Sequence, residues 1–259
     1  MAQLQDKVIS ISGAGSGIGA ATARVAAQRG ASLSLADINQ EGLNAIVNEL
    51  KASGVNLLAT HVDVSESDSV NNWITKTMQH FGTLDGAANI AGVISLPGRQ
   101  GVFDIVDTPS EHWDWVIGVN QTGLFHCIQA QLRVMKSGGS IVNVSSVAGL
   151  KGYPSQVSYT ASKHAVIGIT RVAAKEAGAS GIRVNAVAPG LVGTPMLQRL
   201  TGNYWAATSN ETDDIKTDAV PLKRVSHPEE IAKTICFSLS DDASYTTGTT
   251  FVVDGGLML

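Results

Sequence analysis

Lys7–Gly30, KVISISGAGSGIGAATARVAAQRG, is the stretch that decides the architecture. KVISIS (7–12) is β-branched, serine-punctuated and closed by glycine, so it reads as a strand. Gly13-Ala14-Gly15-Ser16-Gly17-Ile18-Gly19 follows. AATARVAAQRG then reads as a helix with small residues on one face and Gly30 at its C-terminal end. Strand, glycine turn and helix N-terminus in that order offer free backbone N–H groups and the positive end of a helix dipole to a pyrophosphate. Glycine lets the backbone approach phosphate oxygens where a Cβ would collide. The common G-x-G-x-x-G spacing is not met. Counted from Gly15 and Gly17 its third position is Ala20, and from Gly13 and Gly15 it is Ile18. The pattern present is G-x-x-x-G-x-G, through Gly13, Gly17 and Gly19. A merely flexible turn is the competing reading, and the flanking strand and helix argue against it.

Working outward, ASLSLA (31–36) is a second strand, and Asp37 ends it. A carboxylate about 20 residues past the glycine turn can bind the adenosine ribose hydroxyls and would repel a 2′-phosphate. That favours NAD over NADP. Ser16 points the same way, because no Arg or Lys stands in the loop to meet a phosphate. Ile18 and Ile38 are counted with these residues as cofactor contacts. Asp37 has a second reading, as the N-cap of the helix that follows at 40–54. NLLATHV (56–62) is the third strand; Asp63-Val64 after it could hold an adenine edge, or Asp63 could be a turn residue. LDGAANI (84–90) is the fourth, closing at Asn89-Ile90-Ala91-Gly92, where small residues let the backbone lie close to a ribose. SIVNVS (140–145), IRVNAVA (182–188) and TTFVV (249–253) complete seven strands, with helical segments between them. Repeated strand–helix alternation without a linker predicts an α/β fold: one Rossmann-type domain over 1–259, a doubly wound parallel sheet with helices on both faces.

A second stretch carries the chemistry: Ser145–Lys163, SSVAGLKGYPSQVSYTASK. Tyr159 and Lys163 are four apart and share one helix face. An ammonium beside a phenol is expected to draw the phenol's pKa down toward working pH. Such a phenol can give a proton to a carbonyl oxygen or take one from an alcohol. Ser146 lies thirteen residues before Tyr159, at a strand exit, where its hydroxyl could hold the same oxygen. The catalytic helix is expected over about 155–178 with Pro154 just before it, and a long helix over 110–137. Asn120 sits midway along the latter. It could kink the helix and hold a water near the site, or be a tolerated surface residue. Residues 93–109 form a long connection at the rim of a site. The stretch 194–225 has no clean period and reads as a flap over a pocket.

Composition excludes several classes. Hydrophobic content of 44% and charged content of 15% in 259 residues describe a globular chain with ample core. A net charge of -4 gives no footprint for nucleic acid, and no Lys/Arg cluster suggests a membrane surface. No run of about 18 apolar residues spans a bilayer, and the start lacks the parts of a secretory signal. Cys127 and Cys236, each in an apolar helical context, read as buried thiols in a reducing compartment. Metal-ligand spacings are absent from the sequence. The expectation is a cytoplasmic protein with a small-molecule substrate.

Taken together, these pieces resemble the short-chain dehydrogenase/reductase family of the single-domain type, over essentially the whole chain. The family's T-G-x-x-x-G-I-G appears as SGAGSGIG with Ser12 for Thr, its D-V pair as Asp63-Val64, and its N-N-A-G as NIAG with Asn89 kept and Ile90 second. Its helix Asn matches Asn120, its Ser matches Ser146, its Y-x-x-x-K is Tyr159 and Lys163, and its P-G-x-V-x-T matches Pro189, Gly190, Val192 and Thr194. The resemblance implies Tyr159 as general acid/base and Lys163 as its tuner and a nicotinamide-ribose ligand. It also implies Ser146 orienting the substrate oxygen, Asn120 holding a water, and cofactor contacts from 189–194. It implies homo-oligomers, often tetramers, sometimes dimers. Within the family the sequence is similar to dehydrogenases of fungal secondary metabolism. The substrate pocket is expected to be bordered by Ser95, Leu96, Gly149, Tyr153, Tyr204 and Trp205, which suits a bulky hydrophobic secondary alcohol or ketone. The alternatives are a reductase that triggers a cyclisation and a non-catalytic NAD-sensing protein on the same fold.

Overall fold

The strands form where the sequence alternates or runs apolar: β1 Val8–Ser12, β2 Ser32–Asp37, β3 Leu57–His61, β4 Gly86–Asn89, β5 Ser140–Val144, β6 Arg183–Pro189 and β7 Thr250–Val253. The structure is a computed structural model that describes residues 3–97, 102–201 and 217–259. All six pairings are parallel, in the order β3-β2-β1-β4-β5-β6-β7. The chain winds outward one way from β1 and the other way from β4, so the switch point lies between them, where such sheets open a crevice. The helices are α1 Gly17–Gln28, α2 Gln40–Ala52, α3 Ser67–Phe81, α4 Ser110–Ile117, α5 Gly123–Leu132, α6 Val157–Gly178, α7 Pro195–Thr201 and α8 Pro228–Leu239.

Both faces of the sheet are covered. Ile9, Ile11, Leu33 and Leu35 point to one side and pack with residues of α1, α2 and α8. Val8, Ala36, Ala87 and Ile141 point to the other and pack with α3, α5 and α6. Ser10, Ser12 and Ser34 are buried on that second face. There Ser34 Oγ accepts from the Trp73 indole N–H at 2.9 Å and pairs with Thr77 Oγ1 at 2.6 Å. A polar strand position is thus satisfied by a helix, as burial requires. Among the described residues no helix is long and apolar enough to cross a membrane.

Three local expectations are corrected. The helix expected over 110–137 is two helices joined by a π-helical turn, Gly118–Thr122, and it ends at Leu132. The catalytic helix begins at Val157, with Pro154 outside it. Ser155 takes φ +61, its carbonyl accepts from Phe103 N–H at 2.9 Å, and its hydroxyl donates to Asp104 at 2.6 Å. Those contacts pin the chain in a non-helical turn. The N-cap of α2 is Asn39, whose Oδ1 accepts from Gly42 N–H at 3.1 Å, and not Asp37. Of the expected flap, Pro195–Thr201 is helical, and residues 217–225 are turns ahead of α8.

Candidate functional site

The parallel strands all deliver their C-terminal ends to one edge of the sheet, and two adjoining cavities open there. One, of about 370 Å³, runs over the glycine turn, and the other, of about 440 Å³, over the start of α6. They share Ile18, Ile90, Gly92, Thr194 and Met196, so they form one continuous groove across the switch point.

The first cavity is floored by Gly13, Ser16, Gly17, Ile18 and Gly19. Gly13 has φ +71, and a Cβ on it would lie 2.8 Å from Ala91 Cα, so only glycine fits. A Cβ on Gly19 would run into the Gly13 carbonyl. Ser12 fixes the neighbouring strand exit: its Oγ accepts from the N–H groups of Ile90 and Ala91 at 3.1 and 3.3 Å. Asp37 faces this cavity beside Ile38. One of its oxygens accepts from Gly15 N–H at 2.7 Å and the other from Asn39 N–H at 2.7 Å, so the carboxylate braces the glycine turn from the side. Asp63, Val64, Ala91 and Gly92 complete the wall. Asp63 is also the turn residue of its alternative reading, since its Oδ1 accepts from Ser65 N–H and Oγ–H at 2.9 and 2.6 Å. A helix N-terminus, a carboxylate at the cavity wall and glycines that exclude any Cβ make a cradle that a dinucleotide fits.

Asn89 is placed differently from its expected role as a cofactor contact. Its Nδ2 donates to Gln131 at 3.0 Å and to Asn143 at 2.9 Å, and its Oδ1 accepts from Gln131 at 2.8 Å. Asn143 continues the network by donating to Thr170 Oγ1 at 2.9 Å. The side chain is spent on tying β4 to β5, α5 and α6 and does not line the groove. The signal in the sequence was the pair of asparagines at matched positions of two buried strands, Asn89 opposite Asn143.

The second cavity brings Ser146, Tyr159 and Lys163 together with Pro189, Gly190, Val192 and Thr194. Ser146 leaves β5 as the N-cap of a short 3₁₀ turn, Val147–Gly149, and its Oγ accepts from Ala148 N–H at 3.1 Å. Lys163 is only 4% exposed. Its ammonium donates to the Val144 carbonyl at 3.0 Å and stands 5.6 Å from the Tyr159 ring centroid. Burial pushes the Lys163 pKa down to about 8. Burial pushes the Tyr159 phenol up, and a side-chain hydrogen bond with Ser146 draws it partly back. The expected downward shift of the phenol is therefore reversed in the protein alone, because withdrawing a phenolate from water costs more here than its neighbours return. Asn120 sits in the π-turn with its side chain engaged: Oδ1 accepts from Val93 N–H at 2.7 Å, and Nδ2 donates to Val93 O at 2.8 Å and Ser162 Oγ at 3.0 Å. It stitches the exit of β4 to the catalytic helix. Gly92 passes close under both groups: a Cβ there would be 3.3 Å from Asn120 Oδ1 and from Lys163 Nζ. A phenol, a hydroxyl and an ammonium at one wall of an apolar cavity can exchange a proton with an oxygen placed among them.

Of the expected pocket residues, Tyr153 lines the second cavity. Ser95, Leu96 and Gly149 do not; Ile94 and Val147 take their place, and Gly149 is buried against Ser145 and Lys163. Tyr204 and Trp205 lie outside the described residues. Lining that the sequence reading missed comes from Lys151, Gln156, Met196, Leu197, Leu200 and Leu257. No short motif marks these positions, since only the closing of the chain over the sheet edge gathers them.

Comparison with known proteins gives the same answer from another side. Residues 13–258 match the model of a family described as enoyl-(acyl carrier protein) reductase. The chain is 42% identical over 252 residues to the short-chain dehydrogenase/reductase aba4 of Botryotinia fuckeliana, covering 97% of this chain and 96% of that one. It is 39% identical over 259 residues to the 3-oxoacyl-[acyl-carrier-protein] reductase FabG of Thermotoga maritima, covering 99% of this chain and all of that one. The crystal structure of levodione reductase superposes with a TM-score of 0.88 at 36% identity, covering 98% of both chains. On its fold, its groove and these relatives, the chain belongs to the short-chain dehydrogenase/reductase family, oxidoreductases that bind a nicotinamide cofactor.

Proposed function

We propose that this chain is an NAD(H)-dependent oxidoreductase that interconverts a secondary alcohol and a ketone on a bulky, largely apolar small molecule. The observation that carries the reading is the meeting of Ser146, Tyr159 and Lys163 at the wall of an apolar cavity that continues into a glycine-floored groove. Gly13, Gly17 and Gly19 would hold the pyrophosphate and Asp37 the adenosine ribose, with Asp63 and Val64 at the adenine. Pro189, Gly190, Val192 and Thr194 would border the nicotinamide end. When bound, the cofactor supplies or accepts the hydride at its ring. The protein's own part is the proton. In reduction, the Tyr159 hydroxyl donates to the substrate oxygen while the Ser146 hydroxyl holds that oxygen in place. In oxidation, the phenolate takes the proton back. Lys163 favours the phenolate by its charge, and its buried ammonium is the next donor in line. Asn120 sets the geometry through Val93 and Ser162.

Asp37 supports NAD over NADP, because its carboxylate is fixed by Gly15 and Asn39 and cannot swing away from an incoming 2′-phosphate. Two free thiols, Cys127 and Cys236, support a reducing cytoplasmic setting; burial pushes each up to about 12 and leaves it unreactive. Exposed apolar side chains on two sides, Phe125 and Val172 on α5 and α6 and Phe237 and Val252 on α8 and β7, support a homo-oligomer with tetramer symmetry. The test is calorimetric titration with NADH and NADPH, followed by turnover on a panel of cyclic and aromatic ketones. NADH is expected to bind at least tenfold more tightly. Equal affinity for NADPH sinks the cofactor assignment, and full activity in Tyr159→Phe sinks the mechanism.

A further inference from the structure

The cavity over α6 has a charge pattern that the proposed alcohol–ketone chemistry does not use. Its walls are apolar at Ile94, Val147, Ala148, Met196 and Leu257. Among the described residues no Asp or Glu lines it, while two lysines do. Lys163 is engaged with the Val144 carbonyl beside Tyr159. The Lys151 backbone N–H donates to the Val147 carbonyl at 3.2 Å, but its ammonium has no hydrogen-bond acceptor or ion-pair partner among the described residues. Its Nζ instead lies over the Tyr153 ring, 5.2 Å from the centroid, which holds the ammonium at the cavity wall. The hydroxyl of that same Tyr153 is buried without a hydrogen-bond partner. A buried donor left unmade is costly, by about 1–3 kcal/mol. Among the described residues, an ammonium and a hydroxyl without hydrogen-bond partners therefore stand together on one segment between the 3₁₀ turn and α6, in a cavity lined by no carboxylate.

We propose that the molecule transformed here carries a carboxylate on its apolar body, bound by the Lys151 ammonium and by a hydrogen bond from the Tyr153 hydroxyl. The proposal rests on the reading of this cavity as the substrate site. One cation and one hydroxyl match a monoanion; a phosphate dianion would leave charge unmatched in these walls. A neutral molecule would leave both donors unpaired, and an amine would be repelled. The substrate class is thus a ring-sized keto acid or hydroxy acid, and Lys151 acts on binding, away from the proton transfer.

The experiment is calorimetric titration of 2-naphthoate and of 2-naphthamide into the full chain, alone and saturated with NADH. Wild type is expected to bind naphthoate at least tenfold more tightly than the amide, with the preference shrinking as salt rises. Lys151→Met, a surface substitution, is expected to bring the two affinities within twofold, and Tyr153→Phe to weaken naphthoate severalfold while leaving the amide nearly unchanged. Equal affinities in wild type, an undiminished preference in Lys151→Met, or no binding of either probe at millimolar concentration overturns the proposal. Failure of the cofactor reading appears separately, as absence of NADH heat with naphthoate binding intact.

Discussion

At the scale of single residues, burial sets the state of the proton-transfer group. Lys163 ordinarily titrates near 10.5 and is pushed down to about 8, while the Tyr159 phenol is pushed up. Below pH 8 the ammonium is charged in both folded and unfolded chains, and folding bears the full cost of burying it. Between about 8 and 10.5 the unfolded chain keeps a proton that the folded chain has released, so stability rises with pH. Lys163→Met lacks this contribution. Urea unfolding of both proteins from pH 7.5 to 10 is expected to shift the difference toward wild type by on the order of 2–3 kcal/mol. A pH-independent difference would mean that the lysine is not desolvated. Tyr159→Phe is expected to lower kcat on the order of 10²–10⁴-fold with NADH affinity changed less than about threefold, because only the proton donor is removed. Asp37→Ser removes the brace on Gly15 and the fixed negative charge together. Isothermal titration is expected to show NADH weakened about tenfold and NADPH strengthened, reversing the preference.

At the scale of elements, the π-turn at Gly118–Thr122 is the feature that a periodicity reading smooths over. An extra residue in one turn leaves the apolar spacing of the flanking helices nearly intact, so 110–137 reads as one helix. Asn120, a buried polar residue at the centre of the turn, marks the place. Such bulges recur at functional sites because they turn a side chain off the regular ladder. Asn120→Ala would strand the Val93 N–H and C=O, and chemical denaturation is expected to show a loss of about 2–4 kcal/mol, with kcat falling and NADH affinity largely kept. The start of α8 is, by contrast, plain in the sequence. His227-Pro228-Glu229-Glu230 gives an N-cap, Pro at N1 and a capping box. Glu230 accepts from His227 N–H at 2.8 Å and from Arg224 at 2.6 and 2.7 Å. The Arg224 hydrogen bonds chiefly hold its carboxyl down at about 2, well below the usual 4.5. That stabilisation is complete above pH 4.5 and fades as pH falls toward 2. Thermal melts of Glu230→Ala at neutral pH are expected to show a loss of about 1 kcal/mol, discounted because the pair is exposed, and the gap to wild type is expected to close below pH 3.

At the scale of the whole molecule, the parallel sheet converts seven separate strand exits into one site. Ser12, Asp37, Asn89, Val144 and Pro189 are far apart in sequence and come to one edge because every pairing is parallel and in step. Gly19→Ala tests this joint, since its Cβ would be driven into the Gly13 carbonyl and open the cradle. The expected result is loss of measurable NADH binding with the far side of the sheet intact by amide exchange. The seven strands, the glycine turn and the spacing of Ser146, Tyr159 and Lys163 were legible in the residues, because each rests on a local rule: the period of a strand, the reach of a helix turn, the volume that glycine leaves free. Asn89 was not legible, because whether an amide meets a ligand or another amide depends on which strand lies beside it. Nor was the direction of the Tyr159 shift, because spacing reveals a neighbouring charge but not the depth of burial, and burial acts through every atom packed around the phenol. The pocket walls were hidden for the same reason: Lys151, Met196 and Leu257 meet only where the chain closes over the sheet edge. The sequence by itself therefore determined the elements, their order and the chemical groups, which are properties of near neighbours. Tertiary structure alone decided which polar side chains are already satisfied, which stay free to bind, and how far solvent is excluded, because those depend on contacts between residues that the chain holds far apart.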